Sequence, residues 1–228
     1  MIFHKPKSPK YEFVQGLITL RRPGSAASEA YRVLRTNMGF AGIERTFRTI
    51  LFTSPNASDG KSTVISNLAV VMAQANYKIL VLDCNLRKPV LHKIFNLSNE
   101  IGFTTCIYQN IGLDKVVIKR MEGNLSVVTS GPVPPDPAEI LNSAHTRALW
   151  PSLVDKYDYI FIDSPSMLAT TDAAILSAQA DGSVLVVRPG NTRIDEARCA
   201  RKQFARANAR LIGVVLNKVK TMSANIFC

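Results

Sequence analysis

The sequence lacks any apolar run near the roughly 18 residues that a membrane-spanning helix needs. Its first ten residues also lack the hydrophobic stretch of a secretory signal peptide. We therefore expect a chain that neither spans a membrane nor is exported by that route. The cysteines are few and widely separated, at positions 84, 106, 199 and 228. No CxxC or Cys/His spacing indicates zinc, a cluster or a redox pair, so reduced thiols in the cytoplasm are expected.

Acidic residues are scarce. The 228 residues contain 17 Asp and Glu against 28 Lys and Arg, which gives a net charge of +11. Such an excess implies an acidic partner, which can be nucleotide phosphate, an anionic membrane, nucleic acid or an acidic protein. Hydrophobic residues make up 46% of the chain, and Gly and Pro are ordinary at 12 each. A folded domain is therefore expected, and disorder as the dominant state is excluded.

Short apolar runs have the composition of strands buried on both faces of a parallel sheet. Helix-like stretches with Ala-rich faces alternate with them, and a further helix starts near Ser25 or Ser28. This alternation predicts an α/β fold, a doubly wound and mostly parallel sheet of about six or more strands with helices on both faces. The predicted strands are 49–52, 78–82, 125–128, 159–162, 183–187 and 211–216, and the helices are 62–74, 172–179 and 195–207.

A loop suited to phosphate lies between the first strand and the first Ala-rich helix, where residues 56–63 read Asn-Ala-Ser-Asp-Gly-Lys-Ser-Thr. Backbone N–H groups of such a loop and the helix N-terminus converge on an anion, while a Lys reaches the terminal phosphates. Lys61 has that position, and Ser62 would offer a hydroxyl to Mg²⁺. The strict pattern G-x-x-x-x-G-K-[ST] fails at its first Gly, where Pro55 stands.

Two aspartates, Asp83 and Asp163, each end a buried apolar run. Nucleotide hydrolases and kinases place carboxylates there to hold Mg²⁺ against the β and γ phosphates. The alternative is that each Asp only caps the helix that follows. A third strand is followed by the proline-rich loop 130–137, a rigid connection at the edge of the sheet where ligands of open α/β sheets bind.

These segments together resemble the bacterial tyrosine kinases of capsule and exopolysaccharide loci, the CpsD/CapB type. The resemblance covers about residues 25–219, and it includes Asp-Cys-Asn-Leu-Arg-Lys-Pro at 83–89 and the loop 130–139. It implies a P-loop NTPase fold, an ATP- and Mg²⁺-dependent protein-tyrosine kinase, and a division into a basic N-terminal arm (1–24), the kinase domain (25–219) and a short tail (220–228).

The resemblance also implies site residues. In the family, the loop is Walker A, the Asp83 segment is Walker A′ and Asp163 marks Walker B. Asn217 is similar to an Asn that reads the adenine edge in related ATPases, although a strand-end turn is an equal alternative. The implied catalytic residues are Lys61, Asp83 and Asp163; those for Mg²⁺ are Ser62, Asp83 and Asp163; those for nucleotide are Ser58, Asp59, Gly60, Lys61, Ser62, Thr63 and Asn217.

Partners are implied in the same way. Glu29, Arg32 and Arg35 match a family helix that packs subunits into a ring-like homo-oligomer; a solvated charged face is the alternative. The family also implies a transmembrane chain-length-determinant adaptor, whose cytoplasmic tail would hold the kinase at the inner face of the cell membrane. Protein tyrosines are the expected substrates, and no specific nucleic acid is expected.

Three departures from the family pattern leave other functions open. Ser58 replaces a Gly of the loop, Asn85 replaces the second acid of Walker A′, and residues 220–228 contain no tyrosine cluster, the last tyrosine being Tyr159. The resemblance therefore implies that the chain is truncated or divergent, or that its tyrosine substrates are on other proteins. One alternative is a nucleotide-binding regulatory subunit with little catalysis. Another is a ParA/MinD-like ATPase, which Asn56 disfavours because that group carries a signature Lys there.

Overall fold

The computed structural model describes residues 16–41, 47–120 and 124–219. Residues 1–15 of the predicted arm and all of the predicted tail lie outside these ranges. The strands form a single seven-stranded sheet in the order β3-β4-β2-β5-β1-β6-β7. They are β1 (Thr49–Thr53), β2 (Ile79–Asp83), β3 (Ile118–Arg120), β4 (Leu125–Val128), β5 (Tyr159–Asp163), β6 (Gly182–Val187) and β7 (Leu211–Leu216).

All neighbouring strands are parallel except β3 and β4, which run antiparallel at one edge. The connections β1–β2, β2–β3, β4–β5, β5–β6 and β6–β7 contain helices, and a 3-10 turn at Leu113–Lys115 lies before β3. The helices are α1 (Ile18–Arg21), α2 (Ala26–Ala41), α3 (Lys61–Gln74), α4 (Leu91–Ile94), α5 (Phe103–Gln109), α6 (Pro137–Asn142), α7 (Ala144–Val154), α8 (Asp172–Gln179) and α9 (Ile194–Arg206). Among the described helices, none is long and apolar enough to cross a bilayer.

Side chains of the central strands alternate between two apolar clusters on opposite faces of the sheet. In β1, Ile50 and Phe52 lie in the cluster that contains α3, whereas Leu51 lies in the cluster that contains α7. In β5, Phe161 lies in the cluster that contains α3, and Ile160 lies in the cluster that contains α7. The doubly wound, mostly parallel sheet with helices on both faces is therefore confirmed. Each predicted strand and helix is present with its ends within one residue of the prediction.

The start of the described chain packs against the domain. Leu17 is buried in the core, and the backbone N–H and the hydroxyl of Thr19 both donate to Asn67 Oδ1 of α3, at 3.1 and 3.0 Å. This segment falls inside the predicted arm of residues 1–24. Its packing shows that the last third of that arm is part of the folded domain.

Candidate functional site

The connection from β1 to α3 has a backbone that glycine alone fits at one point. Gly60 has φ +93°, and a Cβ built on it would lie 2.1 Å from Asn217 Nδ2. α3 begins at Lys61 and offers its free N–H groups there. The strand, loop and helix thus have the arrangement predicted for a phosphate-binding loop.

Ser58 is also left-handed, with φ +67°. A side chain in this conformation costs roughly 1–2 kcal/mol. Ser58, in place of the Gly that the family has there, therefore carries a conformational penalty.

Replacing Ser58 by Gly should stabilise the protein. The strain removed exceeds the roughly 0.5–1 kcal/mol that Gly costs in chain entropy, so the free energy of unfolding should rise by up to about 1 kcal/mol. Urea unfolding measures the change. The neighbouring Ala57 is also exposed, but its φ is not positive. Ala57→Gly should therefore be destabilising. Equal effects of the two substitutions would contradict the strain at Ser58.

Lys61, Ser62 and Asp163 converge below this loop. Ser62 Oγ donates to Asp163 Oδ2 at 2.5 Å, and Lys61 Nζ lies 4.0 Å from Asp163 Oδ1. Asp163 is fully buried, and its Oδ1 has no hydrogen-bond partner. A buried carboxylate oxygen without a donor is costly. The site therefore has an acceptor position ready for a cation.

Asp83 lies directly beside Asp163, because the two residues pair across β2 and β5. Oδ1 of Asp83 accepts the backbone N–H of Asn85 at 3.2 Å, and Oδ2 accepts those of Val90 and Leu91 at 3.2 and 3.0 Å. Burial, followed by the charge of Asp163, raises the pKa of Asp83 from 3.8 to about 8. Two buried carboxylates held side by side take up a proton readily, and the charge of Lys61 opposes this shift only in part.

The pKa of Asp163 is also raised, by burial, while Lys61 and the Ser62 hydroxyl oppose the shift. A hydroxyl and two carboxylates are the hard oxygen ligands that Mg²⁺ prefers. The unpartnered Oδ1 of Asp163 fits such an ion. In the part of the chain that the structure describes, no group of three or more His, Cys, Asp or Glu is gathered. Phosphate oxygens and water would therefore complete the coordination of a metal here.

The segment after Asp83 is held by two contacts. Asn85 donates from Nδ2 to the Lys88 carbonyl at 2.9 Å and accepts the Lys88 N–H at 3.4 Å, so its side chain closes a turn. Arg87 binds Asp172 with two parallel hydrogen bonds of 2.8 and 3.0 Å. The buried Asp172 opens α8. Sequence reasoning missed this pair, because no local pattern connects two residues so far apart in the chain.

The outer side of the loop is tied to neighbouring segments. The fully buried Asp59 accepts from the backbone N–H of Asn56 and from Asn191 Nδ2, both at 3.1 Å. Asn217 Nδ2 donates to the Asp59 carbonyl at 2.8 Å. Asp59 thus supports the loop from within and Asn217 from the neighbouring strand end, and adenine recognition by Asn217 stays a prediction. Thr63 is half-buried in the first turn of α3.

Asn56 holds the position where a ParA/MinD-like ATPase would carry its signature Lys. Its Nδ2 donates to Glu196 Oε2 in α9 at 2.7 Å, and the same oxygen accepts the backbone N–H of Arg193 at 2.8 Å. These hydrogen bonds lower the pKa of Glu196, that from Arg193 most. The loop is therefore fastened to the start of α9 within the same chain.

The three charged residues predicted on α2 do not share one environment. Arg32 pairs with Glu29 at 2.6 Å and also donates to the Pro23 carbonyl. Arg35 turns inward, and its Nη1 donates to the Val71 carbonyl of α3 at 3.2 Å. A subunit contact by these residues stays a prediction, and the geometry assigns Arg35 an additional role within the monomer.

Arg32 and Arg35 should therefore respond differently to alanine. Arg35→Ala leaves a carbonyl in the last turn of α3 without its charged donor, so the free energy of unfolding should fall by about 1 kcal/mol. Arg32→Ala loses only an exposed ion pair, worth up to about 1 kcal/mol and often nothing measurable. If the exposed Glu29–Arg32 pair binds a neighbouring subunit, sedimentation of Arg32→Ala should show a lower oligomer mass at unchanged stability. An unchanged mass would assign the pair to a solvated face.

Comparison with known proteins places the chain among nucleotide-binding enzymes. A ParA family profile, described as an iron-transfer P-loop NTPase of the NUBPL kind, matches residues 46–226. The tyrosine-protein kinase YwqD of Bacillus subtilis is 39% identical over 206 residues, which cover 90% of this chain and 87% of YwqD. The putative tyrosine-protein kinase CapB of Staphylococcus aureus is 34% identical over 198 residues, 87% of each chain.

Solved structures agree with these relatives. The chimerical protein CapA2B2 superposes with a TM-score of 0.85 at 36% identity, covering 90% of this chain and 91% of the chimera. MinD of Pyrococcus horikoshii, crystallised with Mg-ADP, has a TM-score of 0.63 at 23% identity over 74% of this chain and 69% of MinD. The likeness to MinD shows a shared fold alone.

Proposed function

This chain belongs to the bacterial tyrosine-protein kinases of the CpsD/CapB type within the ParA-related P-loop NTPases, and from that premise we propose which of its residues transfer phosphate from ATP to tyrosine. The protein is an ATP-dependent protein-tyrosine kinase. One observation carries the assignment of its active site. Lys61, Ser62 and Asp163 meet at the loop, and Asp83 pairs beside them.

In the proposed reaction the tyrosine oxygen attacks the γ phosphorus, and the bond to the oxygen that bridges the β and γ phosphates breaks. Lys61 and the loop N–H groups balance the negative charge on the phosphates. Bound Mg²⁺ would neutralise further charge, with Ser62, Asp83 and Asp163 as the residues that hold it. The tyrosine proton passes to Asp83, a carboxylate that pairs with Asp163 at the edge of the sheet where the phosphates would lie.

Asn85 is unsuited to the role of base, since an amide does not accept a proton at this pH. Both ends of its side chain are also engaged by the backbone of Lys88. Proton transfer must therefore rest on the Asp83–Asp163 pair. This distinguishes the proposed mechanism from one that uses a second acid of Walker A′.

The partners of the kinase are part of the same proposal. We infer a cytoplasmic protein held at the inner face of the cell membrane by the tail of a transmembrane chain-length-determinant adaptor. We also infer a ring-like homo-oligomer joined in part by Glu29, Arg32 and Arg35. Capsular or exopolysaccharide chain length and export would be the regulated process. The CapA2B2 chimera supports a close relation between adaptor and kinase.

The test is tyrosine phosphorylation by the purified chain. It should be measured by mass spectrometry with MgATP and an acceptor polypeptide rich in tyrosine, with and without the adaptor tail. We expect phosphotyrosine on the acceptor, with a higher rate when the tail is present. ATP hydrolysis without phosphotyrosine under either condition would instead favour the regulatory ATPase.

A further inference from the structure

The outer face of α9 is strongly basic. Ala200 and Phe204 fasten the helix to the core, and the opposite side is exposed. We call this side the α9 basic face; its side chains are Arg198, Arg201, Lys202 and Arg206. Arg198 lies 3.7 Å from Asp195. Within residues 16–41, 47–120 and 124–219, the other three make no ion pair with a carboxylate.

Glu196 does not neutralise this face, because its carboxylate is directed to Asn56 and the Arg193 N–H. The positive charge of Arg201, Lys202 and Arg206 is therefore unbalanced over about one and a half turns of helix. Charged groups in such a row create a local potential that attracts an extended anionic surface more strongly than a single anion.

Exposed apolar side chains accompany the charges. Val214 and Leu216 of β7 are 54% and 62% exposed. They pair with Leu185 and Val187 of β6, which pack together with Ala200 and Phe204. Val214 and Leu216 therefore lie on the face of the sheet that α9 covers, next to the helix, on a strand at the edge of the sheet.

A third apolar side chain lies on the helix itself. Ile194 is 72% exposed. It is four and seven residues before Arg198 and Arg201, so the three share one side of α9. The α9 basic face is thus bordered by apolar groups at its start and along the adjacent strand.

We propose that the α9 basic face, with Val214, Leu216 and Ile194, docks directly on an anionic lipid surface. Unpaired Lys and Arg bind acidic headgroups, and apolar side chains beside them gain by entering the interface. A nucleic acid backbone would use the charges and leave the apolar side chains in water. The combination therefore favours lipid, and duplex DNA is the competing outcome.

This contact goes beyond recruitment by an adaptor, because it needs only the chain itself. It would also bring the nucleotide loop close to the membrane, since Glu196 of α9 binds Asn56 of that loop. Binding is expected without ATP, so a failure of this proposal leaves the kinase assignment untouched.

The experiment is sedimentation of the purified chain with vesicles of phosphatidylcholine, alone or with 30% phosphatidylglycerol, without nucleotide or adaptor. We expect binding to the anionic vesicles only. The variant Arg201→Gln, Lys202→Gln, Arg206→Gln should bind at least tenfold more weakly, given roughly fivefold per charge. The matched control is Lys93→Gln, Lys115→Gln, Lys156→Gln, which removes three exposed charges elsewhere. The affinity of this control for the anionic vesicles should fall less than threefold.

A second variant tests the apolar part. Val214→Thr with Leu216→Thr places β-branched residues, which are common in strands, at both positions, and its thermal unfolding verifies the fold. It should weaken the binding that persists at high salt, where charge is screened. No binding to anionic vesicles, equal losses in the two charge variants, or tighter binding to duplex DNA than to vesicles would overturn the proposal.

Discussion

Lys61→Met should lower phosphotyrosine formation by about 10²–10³-fold, the usual cost of removing one charge-stabilising donor at a reacting centre. It should also abolish stabilisation by nucleotide. A ligand at a hundred times its Kd adds about 2.7 kcal/mol to the free energy of unfolding, which for a domain of this size raises Tm by roughly 5–10 °C. The wild-type protein should show this shift with MgATP, and the variant should show none.

The fold should survive this substitution. The Lys61 side chain is 11% exposed, and its ionic neighbour is Asp163 at 4.0 Å. Met has a similar length, and the carboxylate pair can take up a proton when the cation is lost. Lys156→Met, at an exposed position after α7, is the matched control and should behave as wild type. A full thermal shift in Lys61→Met would contradict the loop assignment.

The sheet was largely predictable because its strands are buried on both faces. A run such as Thr49–Thr53 or Ile79–Asp83 is apolar at successive positions, which a half-exposed strand would not be. β3 was not predicted, since three residues of an antiparallel edge strand carry little pattern. α7 was missed for another reason. Pro151 interrupts its signal, yet Trp150 and Leu153 anchor the helix in the core.

The geometry of the candidate site was predictable only where a residue ends a strand or begins a helix. Asp83, Asp163 and Lys61 meet that condition. Their pairing required the order of strands, which places β2 next to β5 although α4 to α7 intervene in the chain. The hydrogen bonds from Arg87 to Asp172 and from Asn56 to Glu196 could not be predicted, because they depend on how loops from distant segments are placed on the sheet.

Asp163→Asn should lower activity and raise stability at once. Tyrosine phosphorylation should fall by about 10²-fold or more, because the variant loses a carboxylate that would hold Mg²⁺ and orient the phosphates. The apoprotein, however, loses one of two buried carboxylates that repel each other. The amide oxygen can still accept from the Ser62 hydroxyl, and the other atom replaces an oxygen that has no hydrogen-bond partner.

The gain in stability should depend on pH in a definite direction. The folded-state pKa of Asp83 is raised from 3.8 to about 8, so between these values the folded state binds more protons than the unfolded state. Wild-type stability therefore falls as pH rises through this interval. Removing the Asp163 charge takes away the second largest cause of the shift. The Tm of the variant should exceed that of wild type by about 5 °C at pH 8, and the difference should shrink toward pH 4.

Thermal unfolding of both proteins without metal, followed from pH 4 to pH 9, measures this difference. The exposed Asp155→Asn is the control and should show neither the loss of activity nor the pH-dependent gain. A variant that is inactive but less stable at every pH would mean that Asp163 serves the fold alone. Added Mg²⁺ should raise the Tm of wild type and so narrow this difference, because the ion would bind where the carboxylates repel and should have little effect on the variant.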